Sequence, residues 1–271
     1  MEEKEFVWRR DKRTAQQMRP LKCDCSVLAR SDGSARFSVG NTAVLAAVYG
    51  PADVDSRREL VDRAAVSVTV RPVTGQDGPV ERELEECLAG LARAAVLTTM
   101  YPRTLISVTV QVLHDDGGLL AAAANAVMLA LMDAGVALKS LLSAACCALC
   151  VPPPLPGYAA RTTAPVLVLD PSAEEEALAQ CTFTLAFAAE QLAALTSETA
   201  AADVAVAFSH TRGVFDYATE CLPAVHAAVH AAKVVAQFFR LTATQVQQAT
   251  KGTMLDMGTD TPAPAAAAPD S

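Results

Sequence analysis

Four kinds of cluster in this sequence carry side chains that could do chemistry. They are an aspartate pair followed by two glycines, a histidine pair, three adjacent glutamates and two cysteine pairs: Asp115-Asp116-Gly117-Gly118, His226 with His230, Glu174-Glu175-Glu176, Cys147 with Cys150, and Cys23 with Cys25. Each cluster has one interpretation as a binding site and another as ordinary structure. The elements that surround it decide between them.

The aspartate and glycine cluster precedes an apolar run that stops at Gly135, which predicts the start and end of a helix. Phosphate binding is one interpretation, because the free N–H groups and the dipole of a helix start attract anions. However, Leu119 and Leu120 offer no side-chain donors, and two aspartates repel a phosphate. We favour a buried helix capped by its own aspartates, and His114 before them has no identifiable nucleophile to activate.

The histidines and glutamates have a metal-binding interpretation and a structural one. His226 and His230 share a helix face, but Ala227 stands where the zinc-binding pattern His-Glu-x-x-His requires a glutamate. Three adjacent glutamates, residues 174–176, point in different directions, which favours a solvated charge run over a Mg²⁺ site. We predict no metal site in either cluster.

The eight cysteines are predicted to be reduced and structural. Residues 1–20 contain no apolar signal segment, and thiols in the cytosol or nucleus stay reduced. Cys147 and Cys150 have zinc-knuckle spacing, and Cys23 and Cys25 could supply further ligands. Because the first pair lies inside an apolar run at residues 141–151, we expect a buried strand there. We predict neither a metal nor another cofactor for the chain.

Composition and charge limit the partners. The chain has 271 residues, 52% of them hydrophobic, which suits one large domain with a buried core. Its formal net charge of −8 argues against tight nucleic-acid binding by the isolated chain, since that affinity comes chiefly from lysine and arginine. The apolar stretch at residues 119–132 is shorter than the ~20 residues that cross a bilayer. We therefore expect no membrane partner.

Hydrophobic periodicity predicts a mixed α/β architecture that positions these clusters. Alternating or short apolar segments predict strands at residues 23–30, 35–39, 43–49, 65–73, 105–113, 141–151 and 166–169. Helical spacing predicts helices at residues 80–100, from Gly118 to Gly135 and at 219–240. Residues 182–188 and 200–207 stay ambiguous, and the proline-rich residues 151–156 are predicted to be a surface connection.

Several motifs together are similar to those of the RNase PH family over about residues 19–245. They are RSDGSARF at 30–37, GNTAVLAAVYGP at 40–51, RPVTG at 71–75, YPRT at 101–104, QVLHDDGGLL at 111–120, MDAG at 132–135 and LVLDP at 167–171. Within that family the chain resembles a ring subunit of the RNA exosome. The resemblance implies an α/β (α+β) RNase PH fold, ribosomal protein S5 domain 2-like, with mixed sheets packed with helices. A charged N-terminal arm (1–18) precedes the domain (19–245), and a flexible Ala/Pro-rich tail (246–271) follows it.

The resemblance also implies that a phosphorolytic site has been lost. Active members need a Gly-Gly-Thr-Arg phosphate cradle, and this chain has Gly117, Gly118, Leu119 and Leu120 there. Of two carboxylates that follow strand 166–169 in active members, the second falls near Gln180, and Glu174 lies close to the first. Arg93 and Arg103 are kept as weak RNA-binding residues. Because phosphate donors and carboxylates are separate requirements, we assign no catalytic residue.

The function that this resemblance implies is a non-catalytic structural subunit of the exosome core ring, supporting 3′–5′ RNA degradation and rRNA processing. Its implied partners are other RNase PH-like ring subunits, cap proteins with S1 and KH domains, and RNA through the assembled complex. Its implied location is the nucleus, nucleolus and cytoplasm. The alternative is a phosphorolytic or metal-dependent 3′–5′ nuclease that acts as a homodimer outside the ring, with Asp115, Asp116 and Glu174 holding Mg²⁺.

Overall fold

The computed structural model describes residues 9–55, 57, 59–76, 78–151, 165–194 and 204–256, with side chains to residue 245. The chain divides into two compact units, Met1–Ala236 and Gln237–Ser271. Four predicted segments lie wholly or partly outside the described residues: 1–8 of the arm, 152–156 of the surface connection, 200–203 of the ambiguous segment and 257–271 of the tail. All the candidate clusters lie in the first unit.

Nine strands of the described chain form two sheets. They are β1 (Leu21–Cys25), β2 (Gly33–Val39), β3 (Thr42–Asp53), β4 (Ala65–Arg71), β5 (Thr104–His114), β6 (Leu142–Cys150), β7 (Val166–Leu169), β8 (Ala179–Ala188) and β9 (Val206–Gly213). The first sheet has the order β1-β2-β3-β5-β4, and only its β4–β5 pair is parallel. The second sheet has the antiparallel order β7-β6-β8-β9. The predicted mixed α/β architecture is confirmed.

Five helices accompany these strands in the described chain. They are α1 (Pro79–Ala95), α2 (Leu119–Asp133), α3 (Ala173–Ala177), α4 (Ala189–Ala194) and α5 (Leu222–Asp256). A 3₁₀ turn at Thr98–Met100 follows α1, and a π-helical turn at Tyr217–Cys221 precedes α5. Helix α5 continues through residues 246–256, which the sequence analysis placed in the tail.

Two predicted elements end earlier than expected for local reasons, and one ambiguous segment is a strand. The first strand ends at Cys25 instead of residue 30, because Ser26 adopts a left-handed conformation with φ 54°. Helix α1 ends at Ala95 instead of residue 100, because Val96 turns extended and pairs with Leu138. The ambiguous segment 182–188 belongs to strand β8, whose partners on both sides satisfy its backbone.

Helix α1 begins with a proline and a carboxylate cap. Pro79 occupies the first turn, where its missing N–H is no loss, and Glu81 accepts the Gly78 N–H at 2.8 Å. Its buried face carries Leu88 and Leu91 toward the core. The amphipathic spacing in the sequence therefore corresponds to one buried and one exposed helix face.

Helix α2 is the central element of the core. It packs against β2 and β3 of the first sheet and against β6 of the second, so every residue from Leu120 to Leu131 is buried. Asn125 is the polar exception, and its amide donates to the Ala144 carbonyl at 3.0 Å and accepts the Ala144 N–H at 2.9 Å. The amide thus makes the two hydrogen bonds with β6 that the backbone of a neighbouring strand would make. These bonds offset the desolvation cost of burying a polar side chain.

The stretch Tyr217–Gln245 is long and apolar enough to cross a membrane by length and composition, with a mean hydropathy of 1.2. A core helix passes the same test, and here Ala224, Ala228 and Ala232 are fully buried in the core beside the second sheet. The apolar face of helix α5 is therefore explained by its packing on that core. This stretch was not predicted as a candidate span from the sequence, where the apolar stretch compared with a bilayer was residues 119–132.

Gly33 provides a test of the contact between β2 and α2. A Cβ added there would lie 2.3 Å from Ala134 N and 2.5 Å from Ala130 O, and backbone atoms cannot move aside. Gly33→Ala should therefore lower the free energy of unfolding by about 3 kcal/mol. Gly90→Ala on α1 is the matched control, because nothing lies within 4 Å of its added Cβ and alanine favours a helix by up to about 1 kcal/mol. Urea unfolding followed by circular dichroism measures both, and equal midpoints would contradict the described packing.

Candidate functional site

A cleft opens at the N-terminus of α2, where the sequence analysis placed the degenerate phosphate cradle. Its walls come from α1, α3 and the strands β6, β8 and β9, and Leu119 and Leu120 form part of its lining. Its acidic and basic lining residues come from three different elements and the turn before α2: Glu83, Asp115, Glu176, His210 and Arg212. The tertiary fold thus brings together groups that lie far apart in sequence.

The two glycines of the cradle adopt left-handed backbone conformations, with φ 83° at Gly117 and 66° at Gly118. A side chain at Gly117 would also place its Cβ 2.6 Å from the Pro171 carbonyl oxygen. Glycine is therefore required by conformation and by close approach. The start of α2 and the turn after β7 are in backbone contact here.

The predicted capping of α2 by its aspartates is wrong. Gly118 is the N-cap residue and has no side-chain cap bond. Asp115 accepts the Gly117 N–H at 3.1 Å, and Gly117 is the residue before the N-cap. Asp116 accepts a hydrogen bond from Asn41 at 3.1 Å. The aspartates instead fix the turn that leads into the helix.

A glutamate of the chain itself supplies the anion at the start of α2. The Gly118 N–H donates to Glu176 Oε2 at 3.1 Å, across a separation of 58 residues. Backbone N–H groups and the helix dipole favour negative charge at this place. Glu176 therefore occupies a position on the cradle backbone that a bound phosphate would also use.

The three adjacent glutamates do not form the predicted solvated charge run. Glu174 is exposed and pairs with the exposed Arg10, whereas the Glu175 side chain is only 8% exposed. Glu176 lies in the cleft. Their different directions were expected, but two of the three point into the protein, because α3 packs against β6 and β8.

The basic groups of the cleft are already paired with a carboxylate. Glu83 on α1 lies 2.9 Å from His210 Nε2 and 3.9 Å from the Arg212 guanidinium, both on β9. A polyanion entering the cleft would have to compete with Glu83 for these two side chains. It would also meet the carboxylates of Asp115 and Glu176.

Beneath the cradle, Asp170 forms a buried ion pair with Arg19. Arg19 donates from Nε and Nη2 to the two carboxylate oxygens at 2.8 and 2.7 Å, and its backbone N–H donates at 2.9 Å. The two side chains are only 6% and 8% exposed. This bidentate geometry is the strong form of an arginine–carboxylate pair.

Arg19 also binds the turn that precedes α2. Its Nη1 donates to the Asp116 carbonyl at 2.7 Å, and its Nη2 donates to the Gly117 carbonyl at 3.2 Å. Burial by itself lowers the pKa of Arg19, but the hydrogen bond and charge of Asp170 outweigh burial and raise the pKa above its ordinary value. One charged side chain thus joins the cradle to the turn after β7.

The N-terminal arm contributes two further buried arginines. Arg9 donates to both oxygens of Glu175 at 2.8 Å, and Arg13 Nη1 lies 3.4 Å from Asp170 Oδ2. Burial raises the pKa of Glu175, but the bonds from Arg9 outweigh it and hold the pKa below its usual value. This network was not predicted from the sequence, where its signal is limited to arginines in the arm and carboxylates at residues 170–176.

The predicted RNA-binding residues lie apart from the cleft. Arg93 is half-exposed on the last turn of α1, where it donates to Glu86 at 2.9 Å, and Arg103 lies 3.4 Å from Glu59 before β5. Neither lines the cleft. Their role stays a prediction. Gln180, near which the resemblance places the second carboxylate of active members, is exposed on β8.

The residues proposed as metal ligands have other partners or lie apart. The alternative nuclease would need Asp115, Asp116 and Glu174 around one Mg²⁺ ion. Each carboxylate instead has a partner within the chain: Asp115 accepts from Gly117, Asp116 interacts with Asn41 and Arg19, and Glu174 interacts with Arg10. Within the described ranges, no three His, Cys, Asp or Glu residues lie close enough together to share an ion. His226 and His230 are exposed on α5. The pair Cys147 and Cys150 is buried in β6, whereas Cys23 and Cys25 lie in the other sheet, so the four do not combine.

Comparison with known proteins identifies close similarities. A model of the 3′ exoribonuclease family, domain 1, of the RNase PH type, matches residues 17–137. An Arabidopsis thaliana protein named exosome complex exonuclease RRP46 homolog is 44% identical over 168 residues, which span 62% of this chain and 65% of that protein. The crystal structure of rice (Oryza sativa) Rrp46 is 32% identical with a TM-score of 0.72, and the match covers 86% of this chain and 99% of that one.

A chain from an archaeal exosome core has a TM-score of 0.62 at 19% identity and covers 85% of this chain and 90% of its own, which shows a shared fold. The matched stretch covers slightly less than two thirds of the Arabidopsis protein. These comparisons confirm the predicted RNase PH fold with its mixed sheets and packed helices.

Substitutions of Asp170 and Glu174 test how much the buried Asp170–Arg19 pair stabilises the fold. Asp170→Ala leaves Arg19 buried without its partner, so we expect the free energy of unfolding to fall by about 3–5 kcal/mol. Glu174→Ala is the matched control, because the exposed Glu174–Arg10 pair contributes at most about 1 kcal/mol. Denaturant unfolding of the full chain measures both losses. Similar losses for the two variants would mean that Asp170 does not organise the site.

Proposed function

Since the chain belongs to the 3′ exoribonuclease family built on the RNase PH domain, we propose that it is a non-catalytic structural subunit of an RNA exosome core ring. Two relatives support membership of that complex by name: the Arabidopsis protein is an exosome complex exonuclease RRP46 homolog, and the rice structure is of Rrp46. The first name includes an exonuclease activity. Whether this chain has such an activity must therefore be argued from its own cleft.

The observation that carries the proposal is the bond from the Gly118 N–H to Glu176. Phosphorolysis begins with inorganic phosphate held beside the 3′ end of RNA, where a phosphate oxygen attacks the terminal phosphodiester and a nucleoside diphosphate leaves. A carboxylate on the cradle backbone opposes a second anion by charge and by occupancy. Leu119 and Leu120 add no donor that could offset this repulsion.

The other charges of the cleft support the same conclusion. Glu83 lies 2.9 Å from His210 Nε2 and 3.9 Å from the Arg212 guanidinium, so RNA phosphates would have to compete with its carboxylate for both side chains. Hydrolysis by bound Mg²⁺ would need several carboxylates around one ion, and those at Asp115, Asp116 and Glu174 are each held by a different partner. The alternative nuclease is not favoured.

The partners proposed for this chain are other RNase PH-like ring subunits, cap proteins with S1 and KH domains, and RNA held by the assembled complex. The net charge of −8 supports a contribution to the ring more than direct RNA capture, because subunits with more lysine and arginine must supply the positive field. Arg93 and Arg103 would be weak contacts along the RNA path. The proposed location is the nucleus, nucleolus and cytoplasm.

Assembly is tested by affinity purification of the tagged full chain followed by mass spectrometry. We expect RNase PH-like proteins and S1- or KH-domain proteins to co-purify in near-stoichiometric amounts. Gly33→Ala, which disrupts the contact between β2 and α2, should reduce their recovery, and Gly90→Ala should not. An eluate without any RNase PH-like or S1-domain protein would overturn the proposed function.

Loss of catalysis is tested by rebuilding the cradle. The triple variant Leu119→Thr, Leu120→Arg, Glu176→Gln restores donors and removes the competing carboxylate, so inorganic phosphate affinity should rise about tenfold or more. The matched control replaces Glu174→Gln instead of Glu176→Gln and should gain less. Neither should release nucleoside diphosphates from oligo(A), because Gln180 leaves a required carboxylate absent. Release by the unmodified chain, or Mg²⁺-dependent release of monophosphates, would contradict the non-catalytic assignment.

A further inference from the structure

Cys23 and Cys25 form a thiol pair at the edge of the first sheet. They are two residues apart on β1, so their side chains leave the same face of the strand. Their Sγ atoms lie 3.7 Å apart, a distance at which one thiol donates a weak hydrogen bond to the other sulfur. Both residues are partly exposed. The pair is therefore preorganised and can be reached from solvent.

The pair differs from the other cysteines of the described chain. Cys146, Cys147, Cys150 and Cys181 are buried, whereas Cys87 and Cys221 are partly exposed and lie on different helical segments. Among the described residues, β1 pairs with β2 and lies at the edge of the first sheet. The two thiols are therefore partly exposed on a peripheral strand, outside the buried core.

The local charge favours a cation. The carboxylates of Asp24 and Asp133 act electrostatically on both thiols. Asp133 is held in place, because one of its oxygens accepts the Ser26 hydroxyl at 2.7 Å and the other accepts the Ser34 N–H at 2.9 Å. The two carboxylates oppose the formation of free thiolates, but they attract a metal cation, and the bound cation neutralises the thiolates that ligate it.

The sulfur separation decides which chemistry the pair suits. Two sulfurs on one tetrahedral ion with bonds of about 2.3 Å are about 3.8 Å apart. A disulfide requires about 2.05 Å, and two residues of a strand span about 6.6 Å between Cα atoms, near the upper limit for a disulfide. The observed 3.7 Å matches the edge of a tetrahedral site and needs no movement of the strand.

We propose that Cys23 and Cys25 are a bidentate thiolate site for a thiophilic, tetrahedral divalent ion, Zn²⁺ by its chemistry. On binding, each sulfur loses its proton to solvent and forms one bond to the ion, with no change of oxidation state. The two remaining coordination positions are filled by water or by other small ligands. The site is separate from the cleft, and it does not depend on the proposed function.

The test uses Co²⁺ as the probe on the reduced full-length chain, because thiolate ligation of Co²⁺ gives a near-ultraviolet charge-transfer band. We expect one Co²⁺ per chain with this band, and its loss when Zn²⁺ is added. Cys23→Ser and Cys25→Ser each remove one arm of the chelate, so each should weaken binding on the order of a hundredfold. Cys87→Ser, which alters another partly exposed cysteine, should bind as the unmodified chain does.

Unfolding experiments separate loss of the site from loss of the fold. Without metal, the serine variants should unfold at the denaturant concentration of the unmodified chain, because both positions are partly exposed. Added Zn²⁺ should raise the unfolding midpoint of the unmodified chain and of Cys87→Ser only. No band in the unmodified chain, or an equal band in Cys25→Ser, would overturn the proposal. Formation of an intrachain disulfide with glutathione disulfide, in a chain that gives no Co²⁺ band, would overturn it in favour of redox chemistry.

Discussion

The buried carboxylate of Asp170 is the constraint around which the candidate site is arranged. An unpaired charge at this depth would be strongly unfavourable, so the chain must bring it a cation and enough donors. Arg19 meets this demand with two side-chain bonds and a backbone N–H, and its remaining donors bind the carbonyls of Asp116 and Gly117. The turn after β7 and the turn before α2 are therefore held together by one guanidinium.

That connection has consequences for the cleft above it. With the two turns in backbone contact at Gly117, α3 follows close to the start of α2 and delivers Glu176 to the Gly118 N–H. The arm reinforces the arrangement, because Arg9 holds Glu175 on the same short helix. The charged side chains of this region thus bind other groups of the same chain. Leu119, Leu120 and the carboxylate of Glu176 therefore belong to one site that the protein's own charges hold together.

The cleft and the thiol pair on β1 differ in whether their groups already have partners within the chain. In the cleft, each carboxylate and cation described has a partner within the chain, so a ligand must displace an existing contact. At Cys23 and Cys25 the nearest partner of each sulfur is the other sulfur, and a metal ion bound by both would replace one proton on each thiol. Partial exposure of both thiols, and not depth in a pocket, makes this second place available.

Local pattern determined much of this protein. The alternation at residues 105–113 and the uniformly apolar run after Gly118 predict a strand and a buried helix, because periodicity records which faces are covered. The sequence also shows directly that Leu119 and Leu120 carry no donors, and the proposed loss of the phosphate cradle rests on that absence and on the family resemblance. The strand ending at Cys25 was beyond such reasoning, because the left-handed turn at Ser26 depends on one residue's backbone.

Only the tertiary structure decided which charges meet. The sequence has 30 acidic and 22 basic residues, and no periodicity states which of them pair. Arg9 reaches Glu175 across 166 positions and Arg19 reaches Asp170 across 151, because sheet order and helix packing bring those segments together. The mistaken assignment of residues 174–176 to a solvated run has the same origin. Burial of a charge depends on the whole fold, and the sequence around a glutamate does not contain the arginine that will neutralise it.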